Sequence, residues 1–234
     1  MIEARRLTKN FGRFSVLRNL DLTVSRGEFV ALFGRNGAGK TTFLRIVAGL
    51  ARPSSGEIKI TADPATRYPR GLIGYLSHNT SLYSDLTALE NLRFYAKLMQ
   101  TPSDDAFLLN AIENVGLTGR ESELTRNYSR GMQQRLALAR AFLHNPEILL
   151  LDEPFTGLDQ AGSDLLKKFL SKAHEEGKTC VMTIHDAQIG YEFADRLVII
   201  EKGTAALDVQ KSTLNLAEFR EHYRLITEPG KGRA

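Results

Sequence analysis

The run Gly34-Arg35-Asn36-Gly37-Ala38-Gly39-Lys40-Thr41 carries the plainest chemistry in this chain. Its spacing fits G-x-x-x-x-G-K-[ST] in full. Glycines at those positions let backbone N–H groups curl round phosphate oxygens, and a helix starting there adds a partial positive charge. Lys40 has the reach for the outer phosphates of a nucleotide, and Thr41 presents a hydroxyl to Mg²⁺.

Three further groups fit the same chemistry. Asp152-Glu153 closes an apolar run at 148–151, and Pro154 follows. Carboxyl ends of parallel strands face the ligand crevice, which places Asp152 near a metal and Glu153 beside a terminal phosphate. A carboxylate there can take a proton from an attacking water. His185 ends another apolar run, 179–184, in the same way, where an imidazole can bond a terminal phosphate. Ser129-Arg130-Gly131 opens a third candidate, a hydroxyl and free amides at the start of a helix over 132–142. Taken alone it reads equally as an ordinary N-cap. Beside a complete phosphate loop, a second phosphate claw points to a sandwiched dimer, each copy closing its partner's nucleotide.

The elements that must hold these groups follow from periodicity. Leu20, Leu22 and Val24 alternate with polar residues as in a half-buried strand, and Phe29–Phe33 is a continuous apolar run suited to a strand buried on both faces. Phe43, Ile46, Val47 and Leu50 share one helical face, broken at Pro53. Short strands are expected at Ile58 with Ile60 and over 72–76. Thr87 with Glu90 forms a capping box ahead of Leu89, Leu92, Ala96 and Met99. Asp104 starts a second helix with Leu108, Leu109, Ile112 and Val115 apolar, ended by Gly116. A helix with Leu165, Phe169 and Ala173 on one face stops at Gly177, a hairpin spans 197–207, and a last helix covers 214–223. The division is therefore one domain over 1–228, with a core from 1–84 and 145–228, a helical lobe at 85–144, and a polar tail at 229–234 expected to fray.

With 234 residues, 42% hydrophobic and 25% charged, the chain can build a sizeable core without staples. No apolar run approaches the roughly 18 residues needed to span a bilayer, and no signal peptide is expected. One cysteine, Cys180, precludes a disulfide within the chain and points to a cytosolic setting; it reads as core. Net charge is +4, with basic residues scattered at Arg5-Arg6, Arg67 with Arg70, and Lys167-Lys168, so no nucleic-acid partner is expected.

With these motifs in order, the chain resembles an ATP-binding cassette (ABC) ATPase subunit over nearly its whole length. The resemblance implies a P-loop α/β (RecA-like) core with an N-terminal antiparallel β-subdomain and an inserted α-helical subdomain. It implies ATP as substrate, with Gly34, Asn36, Gly37, Ala38, Gly39, Lys40, Thr41 and Thr42 as the Walker A contacts. Asp152 with Thr41 would hold Mg²⁺, Glu153, His185 and Lys40 would serve hydrolysis, and Leu158-Asp159 matches the D-loop. Ser129 and Gly131 match the signature residues that touch the partner's nucleotide. Phe11, after Thr8-Lys9-Asn10, matches the aromatic that stacks on adenine. Two departures stand out. The signature's usual Leu and first Gly are Tyr128 and Arg130, with Met132 displacing its Gln. The Q-loop glutamine is absent: His78 stands there, a candidate metal contact, and Asn79 follows. A soluble non-transport cassette would show tandem cassettes or a long coiled-coil insertion, and a P-loop kinase would leave the signature unexplained.

Three stretches, 78–95, 128–135 and 155–160, look like the haem-exporter ATPases of cytochrome c maturation (CcmA-like); multidrug and lipid exporter ATPases share parts of them. The implied partners are a second cassette, expected as a homodimer, and an integral-membrane permease on whose cytoplasmic side the chain would sit.

Overall fold

The computed structural model describes residues 1–61 and 69–228. The expected polar tail at 229–234 and Arg67 of the scattered basic residues lie outside the described residues. Two sheets and a helical lobe make up the fold. The first sheet is antiparallel, with β1 (Ile2–Phe11) between β2 (Phe14–Val24) and β4 (Ser55–Ile60). Along β2 the residues Leu20, Leu22 and Val24 are buried and their neighbours exposed, the alternation a half-buried strand needs.

The second sheet has the order β5 (Ile73–Leu76), β6 (Ile148–Asp152), β7 (Thr179–Thr183), β3 (Phe29–Phe33), β8 (Arg196–Glu201), β9 (Thr204–Gln210). Its first five strands are parallel and β9 returns antiparallel to β8. Every residue of β3, β6 and β7 is buried, as strands covered on both faces must be. α1 (Lys40–Val47) covers one face with Phe43, Leu44, Ile46 and Val47. On the other face lie α5 (Gln160–Glu175), α6 (Ala187–Phe193) and α7 (Leu216–Thr227). There Phe33 packs its ring on Phe219 at 4.7 Å, an aromatic tie between the end of β3 and α7.

Between β5 and β6 the chain builds α2 (Ala88–Met99), α3 (Asp105–Glu113) and α4 (Arg130–Phe142), which share a core of Leu92, Leu108, Ile112, Val115 and Leu136. Both arms of the Thr87–Glu90 capping box form: the Glu90 amide donates to Thr87 Oγ1 at 3.2 Å and the Thr87 amide to Glu90 Oε2 at 2.8 Å. Asn91 is fully buried in α2 and holds the turn before it, accepting from the Tyr83 amide and donating to the Tyr83, Leu86 and Thr87 carbonyls.

Two expectations need correction, and one helix is additional. The core face of α5 is Leu166, Leu170 and Ala173; Leu165 turns instead toward the helical lobe and Phe169 packs against both, because this helix is sandwiched and carries two apolar faces. Leu109 is exposed, since α3 lies at the rim of its lobe and Leu108 and Ile112 are the residues it buries fully, with Phe107 and Ala111 packed beside them. α6 was not anticipated: its seven residues are too few for a helical period, and Asp186, whose carboxylate accepts from the Gln188 and Ile189 amides, starts it.

Candidate nucleotide site

Sheet order explains why distant motifs meet. β3 delivers the glycine loop, and its neighbour β7 delivers Thr183 and His185. Next in the sheet, β6 delivers Asp152 and Glu153. Register places Leu32, Thr183 and Asp152 in one row across the three strands. All three loops then leave the carboxyl edge on the same side.

Within the loop, Gly39 has φ of 112°, and a Cβ there would stand 2.6 Å from Leu17 Cδ2 and 2.9 Å from the Val16 carbonyl oxygen. Only glycine fits, because β2 passes directly under the loop. Lys40 is 5% exposed and its Nζ donates to the Gly34 and Arg35 carbonyls at 2.7 and 3.2 Å. Burial pulls its pKa down, while Glu153 and Asp152 push it back up. The ammonium is thus held folded inside the loop by two backbone carbonyls. A crevice lined by Val16, Asn36, Gly37, Gly39, Lys40, Thr41, Thr42, His78, Asn79 and Glu153 opens above it. Gly34 and Ala38 belong to the same loop, with Ala38 buried.

Asp152 is 1% exposed and its Oδ1 accepts from two hydroxyls, Thr41 at 3.0 Å and Thr183 at 2.7 Å. Its other oxygen, Oδ2, is buried with no hydrogen-bond partner. A hydrogen-bonded Asp beside a threonine hydroxyl, with one carboxylate oxygen unused, fits a hard cation such as Mg²⁺. No group of three or more His, Cys, Asp or Glu that could hold a metal occurs among the described residues. Mg²⁺ suits such a site because it keeps several waters and takes phosphate oxygens.

Glu153 follows with φ of 51°, a left-handed conformation rare for a side chain of this kind, fixed by its amide donating to Thr183 Oγ1 at 2.9 Å. Its carboxylate meets His185 Nε2 at 2.7 Å through Oε1 and His78 Nδ1 at 3.8 Å through Oε2. The two histidines therefore flank one carboxylate. In the single chain His78 faces Glu153, and Asn79 lines the same crevice.

Ser129 and Gly131 are not among the residues lining this crevice. Ser129 is the N-cap of α4, accepting from the Met132 amide at 3.2 Å, and is exposed. The departures around it are accommodated: Tyr128 is buried with its hydroxyl donating to the Arg120 carbonyl at 2.6 Å, and Gln133 donates to the Thr125 carbonyl at 3.1 Å. Arg130 lays its side chain against Gly157. Asp159 is the N-cap of α5, its carboxylate accepting from the Gly162 amide at 2.8 Å. Phe11 ends β1, 54% exposed, with Lys9 Nζ 4.9 Å from its ring centre.

Sequence reasoning missed Thr183, which ties Asp152 to Glu153, and Val16 beneath the loop. Thr183 was legible only as a hydroxyl two residues before His185. It also missed the brace from α7: Arg35 donates to the Thr227 carbonyl at 3.3 Å.

The ABC transporter family profile matches residues 17–156. The chain is 35% identical over 235 residues to the bacitracin transport ATP-binding protein BcrA of Enterococcus faecalis, covering 97% of this chain and 73% of that one. It belongs to the ABC transporter family. Over 201 residues it is 38% identical to the sulfate/thiosulfate import ATP-binding protein CysA of Mycobacterium bovis, covering 84% of this chain but only 57% of that one. Among solved structures, the cassette MJ0796 in a dimeric post-hydrolysis state bound to ADP and Pi superposes with a TM-score of 0.80 at 27% identity, covering 90% of this chain and 99% of the other. ABC cassettes are ATPases, and the chain carries that activity with its P-loop α/β fold. No helix among the described residues is long and apolar enough to cross a membrane.

Proposed function

We propose that this ABC cassette works as a head-to-tail pair, closing over two ATP molecules to drive transport through a separate membrane subunit from its cytoplasmic face. The observation that carries the reading is Glu153, hydrogen-bonded to His185 and flanked by His78 at the mouth of the phosphate crevice, with Ser129 exposed on another lobe. Lys40 and the loop amides neutralise phosphate charge. Thr41 and Asp152 hold Mg²⁺, which when bound offsets phosphate charge and orients its oxygens. Glu153 orients the attacking water and takes its proton, and His185 positions that carboxylate. His78 stands on the opposite side of Glu153, where it senses the terminal phosphate in place of a glutamine. Phe11 stacks on the adenine. The partner's Ser129 and Gly131 complete the site, with Asp159 at the same junction.

For the cargo, the haem-exporter reading rests on the three short stretches alone. The relatives named above concern bacitracin transport and sulfate import, and the relation to the bacitracin protein spans nearly the whole chain. That favours a drug or lipid exporter over haem delivery. Purification from membranes with identification of the co-purifying integral protein tests this. Recovery of cytochrome-maturation proteins would restore the haem reading, and a drug-type permease would support the exporter reading. Purification with no integral protein attached contradicts the transport role.

A further inference from the structure

Phe11 closes β1 at the hairpin to β2, where it pairs with Phe14. Its ring is 54% exposed, so its own packing does little to fix it. Lys9, two residues earlier, supplies what packing does not. It is half-buried, and its Nζ donates to the Arg52 carbonyl at 2.8 Å while standing 4.9 Å from the centre of the Phe11 ring. That is within the reach of a cation–π contact. The carbonyl fixes where the ammonium sits, so one face of the ring is held against a placed cation.

Arg52 ties this pair to the phosphate loop. α1 starts at Lys40 and ends at Val47, and the chain then folds back on it, with the Leu50 and Ala51 amides donating to the Arg45 carbonyl at 2.8 and 3.1 Å. Arg52 follows directly. The segment is also stitched to β1: the Ser54 amide donates to the Thr8 carbonyl at 2.8 Å, and the Asn10 amide to Ser54 Oγ at 3.0 Å. Thr8, Lys9 and Asn10 therefore each hold the chain as it leaves α1. One helix presents Lys40 and Thr41 at its start and, through Arg52 beyond its end, sets the ammonium against Phe11. This anchor lies on the β4 flank of β1, whereas the phosphate crevice meets the other flank at Val16 of β2. The ring face away from Lys9 is the one left for a base.

We propose that Lys9 is a positioning residue for nucleotide binding: held on the Arg52 carbonyl, it fixes the Phe11 ring relative to the phosphate loop and prepares its free face for the base. A cation on one face draws the ring's π density toward itself, so the opposite face repels a stacked base less. The inference rests on the stacking role given to Phe11 above.

MgADP and magnesium pyrophosphate carry the same phosphates with and without a base, and calorimetric titration of the full chain gives the dissociation constant of each. Lys9→Met keeps the stem and removes the charge, Lys9→Arg keeps a cation over the ring, and Arg5→Met removes an equal charge elsewhere on β1. Loss of a cation–π contact predicts that Lys9→Met weakens MgADP about two- to fivefold and leaves pyrophosphate unchanged. Lys9→Arg should bind MgADP as wild type does, and so should Arg5→Met. In a Phe11→Ala background the Lys9→Met loss should disappear, because both act through one ring. A Lys9→Met variant that binds MgADP as tightly as wild type, or more tightly, overturns the proposal. An equal loss on pyrophosphate overturns it too, since Lys9 would then act only by attracting phosphate charge. Phe11→Ala alone reads the stacking role separately: unchanged MgADP binding there removes the platform, and the role of Lys9 with it.

Discussion

Replacing Thr183 by Val removes one hydroxyl and keeps the side-chain volume. That hydroxyl makes two contacts at once: it donates to Asp152 Oδ1 at 2.7 Å and accepts from the Glu153 amide at 2.9 Å. Thr41 donates to the same oxygen at 3.0 Å and would keep its proton for that bond while its oxygen lone pair met Mg²⁺, so Thr183 is the shorter of two anchors on Oδ1. A hydrogen bond to a charged acceptor contributes about 1.5–3 kcal/mol net. The Glu153 amide keeps a 3.2 Å bond to the Thr183 carbonyl, so its share of the loss is small. If the lost bond is expressed in the transition state, kcat/KM for ATP falls about 10- to 100-fold. Steady-state ATPase kinetics on Thr183→Val and Thr183→Ser check this. Serine restores the hydroxyl and should return most of the rate. A valine variant within twofold of wild type, folded and equally stable, would refute the claim that Thr183 sets the acidic pair.

Other perturbations read other parts of the account. Phe11→Ala should raise the KM for ATP by about 5- to 100-fold, the range of an aromatic–base stack, while Phe14→Ala on the same hairpin, 80% exposed, should not; nucleotide-binding titrations separate them, and the reverse result makes Phe14 the platform. His144 is half-buried with Nε2 at 3.1 Å from the Ile73 carbonyl, and partial burial holds its pKa below the ordinary 6.5. The unfolded chain therefore takes the proton first, so this stability is present above pH 6.5 and is lost as pH falls through that value toward the folded pKa. Urea midpoints at neutral and mildly acidic pH should differ less in His144→Gln than in wild type; an equal pH dependence would exclude His144 as its source.

Much of the site was legible because its motifs are local. The glycine loop, the acidic pair and the strand-end histidine each sit within a few residues of the strand that presents them, and strands buried on both faces read as unbroken apolar runs. What was not legible depends on neighbours in space. Thr183 matters because β6 and β7 place it opposite Asp152. Arg140 and Asn91 are polar residues buried in helices, and nothing in their spacing says which carbonyls they reach. α5 was assigned one apolar face where it has two, since periodicity marks where apolar residues fall and not how many layers cover them. Ser129 was read as a claw from its type and place, and the single chain shows it only as an N-cap.

The central claim is that the site is completed by a second copy. Glu153→Gln should bind MgATP, turn over about 10²- to 10⁴-fold more slowly, and run as a dimer in size-exclusion chromatography with ATP and as a monomer without it. Adding Ser129→Arg to that variant should leave nucleotide binding intact and abolish the ATP-dependent dimer. An ATP-dependent dimer that survives Ser129→Arg, or a Glu153→Gln variant with wild-type turnover, would contradict the account.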